Sequence, residues 1–216
     1  MSPRRTPARP RPVALLAAAA AVAALLPPLL AGQGGCSPSP ATPDESPLTA
    51  PFRVSDHFAP TGYMGDGTSI GLVNMLNDAC PTRAPEPSGD CYSVTYTPAT
   101  TWAGVYWQYP QNNWGDRPGR TILPGAKRVT VWARGASGGE KLELHVGGIR
   151  DDNLPFHDSI DASASFTLTT DWQKLTVGFG PRTYDQVIGG FGWIAHATAG
   201  SPSPIVFYLD GIEWGT

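Results

Sequence analysis

Apolar and polar residues alternate in short runs through most of this chain, and no stretch after the N-terminus keeps a helical repeat. Tyr92 to Tyr96 places Tyr92, Val94 and Tyr96 on one face, and Trp102 to Trp107 reads as a second strand. Lys127 to Ala133 and Lys141 to Val146 flank a Gly-rich turn, and Ser165 to Thr169 and Gln173 to Phe179 flank a turn at Thr170 and Asp171. Val187 to Ala195 and Pro204 to Trp214 close the series. Short alternating strands spaced roughly 8–12 residues apart predict an all-β fold, a single β-sandwich over residues 52–216.

The N-terminus departs from this pattern. Arg4, Arg5, Arg9 and Arg11 precede an Ala- and Leu-rich run from Val13 to Ala31, broken by Pro27 and Pro28. This reads as an export signal over residues 1–35. The small residues Gly34 and Gly35 before Cys36 resemble the lipobox of bacterial lipoproteins, with Gln33 where that family usually has Leu. The resemblance implies a lipid anchor on Cys36, hence an exported chain held at the cell envelope. An ordinary secretory signal or an uncleaved anchor are the alternatives. Residues 36–51, rich in Pro and Ser, read as an extended, disordered tether.

Processing changes the charge. All 18 Asp and Glu follow Cys36, whereas four of the 15 Lys and Arg precede it, so the mature chain carries −7. Nothing in it clusters Lys and Arg as phosphates require, which argues against a nucleic-acid partner. Cys80 and Cys91 enclose the Pro- and Gly-rich PTRAPEPSGD, which cannot be helical. In an oxidising compartment they are expected to form a disulfide, contributing roughly 2–3 kcal/mol through chain entropy.

Candidate chemistry concentrates in TWAGVYWQYPQNNWGDRPG, Thr101 to Gly119. Flat rings suit the apolar face of a pyranose, and the amides and carboxylates among them suit its hydroxyls. Trp102, Tyr106, Trp107 and Trp114 are the expected stacking rings, with Gln108, Asn112, Asn113 and Asp116 as hydrogen-bonding partners. Strand alternation sets Trp102, Tyr106 and Gln108 opposite Ala103, Val105 and Trp107. The Ala103/Val105 face is the more uniformly apolar and reads as inward, but the reverse, with Trp107 projecting from the edge, stays open.

The ordered set GAKRVTVWARG, GGEKLELHVGG, TDWQKLTVGF and IVFYLDGIEW, within Gly125 to Trp214, resembles the later strands of carbohydrate-binding-module jelly rolls. These are the galactose-binding-like sandwiches attached to bacterial glycosidases. The resemblance implies a jelly-roll topology and a structural Ca²⁺ between an early loop and the last strand. Asp210 matches the last-strand ligand, and Asp56 or Asp66 would complete the shell through oxygen donors. Gly211 stands where the family often has a second Asp.

The loop from Gly147 to Asp161 gathers Asp151, Asp152, His157, Asp158 and Asp161, and reads as a solvated acidic loop beside a ligand cleft. Glu140 and Glu143, three apart, face opposite sides of a strand, and neither a G-x-S-x-G elbow nor an H-E-x-x-H motif occurs. Together these features lead to the expectation of an exported, lipid-tethered, non-catalytic polysaccharide-binding protein. A structural or protein-binding envelope lipoprotein, and a sandwich-fold glycoside hydrolase or polysaccharide lyase, are the alternatives.

Overall fold

The computed structural model describes residues 46–67, 72–98 and 101–216. The expected export signal and Cys36 lie outside these residues. Among the described residues, no helix is long and apolar enough to cross a membrane.

The fold is all-β. Among the described residues thirteen strands follow one another: β1 (Phe52–Arg53), β2 (Ala59–Gly65), β3 (Val73–Asn77), β4 (Cys91–Tyr96), β5 (Trp102–Gln108), β6 (Arg120–Ile122) and β7 (Arg128–Gly135). Then come β8 (Lys141–Gly147), β9 (Asp161–Thr167), β10 (Gln173–Gly178), β11 (Tyr184–Val187), β12 (Gly189–His196) and β13 (Ile205–Gly215). A 3-10 turn, Val54–Asp56, interrupts them near the start.

Two antiparallel sheets make the jelly-roll sandwich. One runs β10-β7-β13-β4-β3, with β1 on the end of β13, and the other runs β2-β5-β12-β8-β9. Their facing sides pack aromatic rings across the gap. Trp107 of β5 lies 5.0 Å from Tyr92 of β4, and Trp193 of β12 lies 5.0 Å from Phe207 of β13. Trp214 closes one end against Phe179 at 4.9 Å, its indole N–H donating to the Gly190 carbonyl at 2.8 Å. Alternation produces this core directly. In β8, Leu142, Leu144 and Val146 are buried while Lys141 is exposed and Glu143 and His145 lie at the other face.

The chain enters the fold earlier than expected. Leu48, placed in the tether by composition, is buried and bridges to Ile122, its N–H donating to the Thr121 carbonyl at 2.8 Å. An apolar residue beside an open strand edge packs there despite its Pro-rich surroundings.

Cys80 and Cys91 are bonded, their Cα atoms 5.9 Å apart, and the enclosed loop docks on the last strand. Arg83 of that loop clasps the fully buried Asp210, with Nε at 2.7 Å and Nη2 at 2.9 Å, and the Ala84 N–H adds a third contact at 2.9 Å. Burial alone would raise the Asp210 carboxyl, but these hydrogen bonds outweigh it and hold the group below its ordinary value. Gly211 follows at φ +57° within the bulge that lies between Asp210 and Glu213, a backbone conformation suited to glycine.

Candidate functional site

The outer side of the five-stranded sheet carries the candidate site. Register fixes which residues share it. Tyr106 pairs with Gly62 on one side and Gly192 on the other, Gly192 pairs with His145, and His145 with Ser163. One step along the strands, Met64, Gly104, Ile194, Glu143 and Ser165 form the next row. Alternation therefore brings Met64, Tyr106, Ile194, Glu143 and His145 to one surface, opposite the core.

Glycines shape its floor. The Tyr106 ring lies so close over β12 that a Cβ on Gly192 would stand 2.7 Å from its Cδ1, and one on Gly189 would stand 3.0 Å away. Only residues without a side chain admit a ring lying across the neighbouring strand. Tyr106 is 6% exposed, and Ile149, Ile188, Met64 and Phe156 pack with it as a small cluster separate from the main core. Trp114, in the loop after β5, meets it edge-on at 6.3 Å and is 37% exposed.

Between these groups is a cavity of about 450 Å³ lined by Met64, Tyr106, Trp114, Ile194 and the Gly148–Asp151 segment. A smaller hollow of about 260 Å³ continues the same face at Lys141, Ser165, Phe166 and His196. Glu143 stands on the same face, its carboxylate 3.2 Å from His145 Nε2 and 3.5 Å from His196 Nε2. Burial holds the His145 imidazole below its ordinary value even though Glu143 and Asp161 pull it the other way.

Asp158 anchors the cavity wall. Its carboxylate accepts the Ile149 N–H at 2.8 Å together with the N–H groups of Ile188 and Gly189, stitching the acidic loop to the start of β12. Burial pushes this carboxyl up to about 7, against the lowering effect of the three backbone donors. A general acid of a glycosidase has such a value. Asp158, however, is spent on backbone and does not line the cavity. Glu140 is also withdrawn, fully buried ahead of β8 with the Ser137 N–H on its Oε1 at 2.8 Å.

The structure separates the aromatic segment into two groups. Trp107, expected as a stacking ring, is fully buried between the sheets and has no face to offer. Ala103, Val105 and Trp107 point inward, which settles the orientation in favour of the more uniformly apolar face. Gln108 and Asn113 are buried as well, and they hold the loop rather than facing solvent. Gln108 Nε2 donates to the Asn113 carbonyl at 2.7 Å, and Asn113 Nδ2 donates to the Tyr109 and Arg117 carbonyls at 3.1 and 2.8 Å. Amides that read as free in sequence are thus consumed by a tight turn. Asn112 and Asp116 are exposed, Asp116 against Arg117 at 3.1 Å. Trp102 is half-buried at the far end of β5, paired with His196.

Met64, Ile194, Glu143, His145 and Asp161 belong to the site but are absent from the aromatic segment. Glu143 and His145 share a face by alternation, a signal visible in the sequence. Met64 and Ile194 gave none, because only strand pairing brings them beside Tyr106.

The three carboxylates expected to hold Ca²⁺ do not fit a calcium shell. Asp56 pairs with Arg53 at 3.0 Å, Asp66 accepts the Thr101 N–H and hydroxyl at 2.8 and 2.6 Å, and Asp210 is held by Arg83. Among the described residues, no group of three or more His, Cys, Asp or Glu is placed to hold a metal.

No protein-family model matches this chain, and no curated protein is similar to it. Among solved structures, it is similar to the family 11 carbohydrate-binding module of a cellulosomal cellulase of Clostridium thermocellum. That likeness has 12% identity and a TM-score of 0.44 over 78% of this chain and 95% of that one. It is also similar to the family 30 module of another cellulosomal cellulase of Clostridium thermocellum, at 16% identity and 0.44 over 73% and 92%. A CBM61 module in complex with beta-1,4-galactotriose is similar at 15% identity and 0.38 over 74% and 90%. Likenesses this distant carry no argument about ligand or site.

Proposed function

We propose that this protein binds a polysaccharide without cleaving it, on the outer side of the five-stranded sheet. The observation that carries this reading is the pairing of a half-exposed Trp114 with a floor-lying Tyr106 at the mouth of a cavity of about 450 Å³. A ring left in solvent beside another ring suits the apolar face of a sugar. Glu143, His145, His196 and Ser165 along the same surface supply donors and acceptors for hydroxyl groups. We further propose that the chain is exported and held at the cell envelope through a lipid on Cys36. A tether of this kind raises the local concentration of the binding face near surface glycans.

The test is retention of the purified chain on a panel of soluble and insoluble polysaccharides, beside Trp114→Ala. Retention on at least one glycan, lost in a folded Trp114→Ala, supports the reading. Absence of retention on every glycan overturns it, and release of reducing ends from a retained glycan overturns the non-catalytic part. Labelling with a radioactive fatty acid, compared with Cys36→Ser, checks the anchor.

A further inference from the structure

The cavity beside Trp114 is lined unevenly. Met64, Ile149 and Ile194 add aliphatic walls to the rings of Tyr106 and Trp114. The polar groups at its edge are already committed. Arg150 pairs with Asp152 at 3.0 Å, both side chains largely exposed. Asp151 accepts the backbone N–H and the side-chain amide of Asn153, each at 2.9 Å. The Gly148 N–H donates to the Ile160 carbonyl at 2.9 Å.

One polar group remains. Tyr106 is 6% exposed, and its hydroxyl has no hydrogen-bond partner among the described residues. That oxygen lies 3.4 Å from where a Cβ on Gly148 would stand, so the glycine leaves it uncovered in the cavity wall. A buried hydroxyl without a partner is unfavourable, and an acceptor on a ligand removes that cost. Burial, with Asp158, Asp161 and Glu143 acting the same way, raises the phenol above its ordinary value, so it keeps its proton and is a donor at any working pH.

A ring of hydroxyls does not suit such a cavity. A hexose pushed into it turns several donors and acceptors toward Met64, Ile149 and Ile194, with the Tyr106 hydroxyl as the uncommitted polar partner. An acetyl substituent fits on both counts. Its methyl is apolar, and its carbonyl is an acceptor that one well-placed donor serves.

Resting on the glycan-binding reading above, we propose that this groove takes an acetylated glycan. The acetyl methyl enters the cavity against Met64, Ile149 and Ile194, its carbonyl oxygen accepts the Tyr106 O–H, and the sugar that carries it packs on Trp114. An N-acetylhexosamine and an O-acetyl ester both present this group, and the cavity recognises what they share.

The experiment is calorimetric titration of the purified chain with two matched pairs at high salt, which screens the charge of free amines. N-acetylglucosamine oligomers are set against glucosamine oligomers, and O-acetylated xylan oligomers against the same oligomers after de-esterification. At least one acetylated member is expected to bind about tenfold or more tightly than its partner, a factor that one buried methyl and one hydrogen bond together supply. The pair that shows it identifies the source of the acetyl group. Tyr106→Phe keeps the ring and is expected to shrink the preference by about fivefold, the share of one neutral hydrogen bond. Equal or tighter binding of the unacetylated member in both pairs overturns the proposal while leaving glycan binding intact. A preference undiminished in Tyr106→Phe overturns the contact with the phenol, and failure of every glycan overturns both readings. The comparison within each pair uses the unaltered chain, so it stands even where Tyr106→Phe fails to fold.

Discussion

The Trp114 indole stands edge-on to the Tyr106 ring, centroids 6.3 Å apart and planes at 87°, with Trp114 at the surface and Tyr106 beneath it. Trp114→Ala removes a ring that holds little of the fold together, so thermal stability changes slightly and glycan retention is lost. Tyr106→Ala abolishes retention as well but also costs about 2–4 kcal/mol, because the ring fills the small cluster with Ile149 and Ile188. Trp107→Ala costs about 3–5 kcal/mol and, at temperatures where it remains folded, leaves affinity unchanged. Denaturant titration beside retention separates the three. An affinity loss in folded Trp107→Ala contradicts the division of roles between the two faces of β5.

Gly192 offers a test that removes no functional side chain. A Cβ there would stand 2.7 Å from two atoms of the Tyr106 ring, which must tilt or shift. Gly192→Ala is therefore expected to cost about 1–3 kcal/mol through overpacking. It is also expected to lower glycan affinity by about tenfold or more, since the floor of the groove is displaced. Unchanged affinity with unchanged stability shows that the ring does not lie across β12 as described.

Alternation made the sandwich legible, and strand pairing limited what could be read of the site. The strands around Leu142, Val131 and Val177 declared themselves because one side of each is buried and the other is wet. β2, with Pro60, Gly62 and Gly65 in seven residues, shows no such pattern and was not anticipated. Its glycine at position 62 answers to Tyr106 on the next strand, a contact no local pattern contains. The same limit explains Gln108 and Asn113. Their amides look available in sequence, yet a turn closing on itself consumes them. Asp210 reads in sequence as a candidate metal ligand, and in the structure its carboxylate is held by Arg83, 127 positions away, a pairing no local pattern contains.

That partnership makes Arg83 the residue through which the disulfide loop holds β13. Arg83→Ala leaves a fully buried carboxylate held by the backbone N–H groups of Ala84 and Ser88 from that loop but without its cationic partner. The cost is expected at about 2–3 kcal/mol, below the usual range for a broken buried pair because the arginine side chain is 42% exposed. Arg83→Lys is expected to recover only part of it, since a single ammonium cannot reproduce the forked contact. Adding Asp210→Asn to Arg83→Ala should restore stability relative to Arg83→Ala alone, and equal losses in the single and double variants would place the defect elsewhere in the loop.

The two unusual carboxyls pull stability in opposite directions with pH. Asp210 titrates below its ordinary value, so its contribution is present above about pH 4 and is lost as pH falls through its folded value. Asp158 is raised from 3.8 to about 7, so the folded state holds a proton that the unfolded chain has released across that window. Its contribution is complete below about pH 4 and disappears as pH rises through about 7, amounting to no more than about 4 kcal/mol. Denaturant midpoints measured from pH 4 to 8 for the unaltered chain and Asp158→Asn isolate this effect, because every other group titrates in both. The difference between the two curves is expected to slope across that window and flatten above it. A constant difference would mean that Asp158 remains ionised throughout, with its three backbone donors outweighing burial.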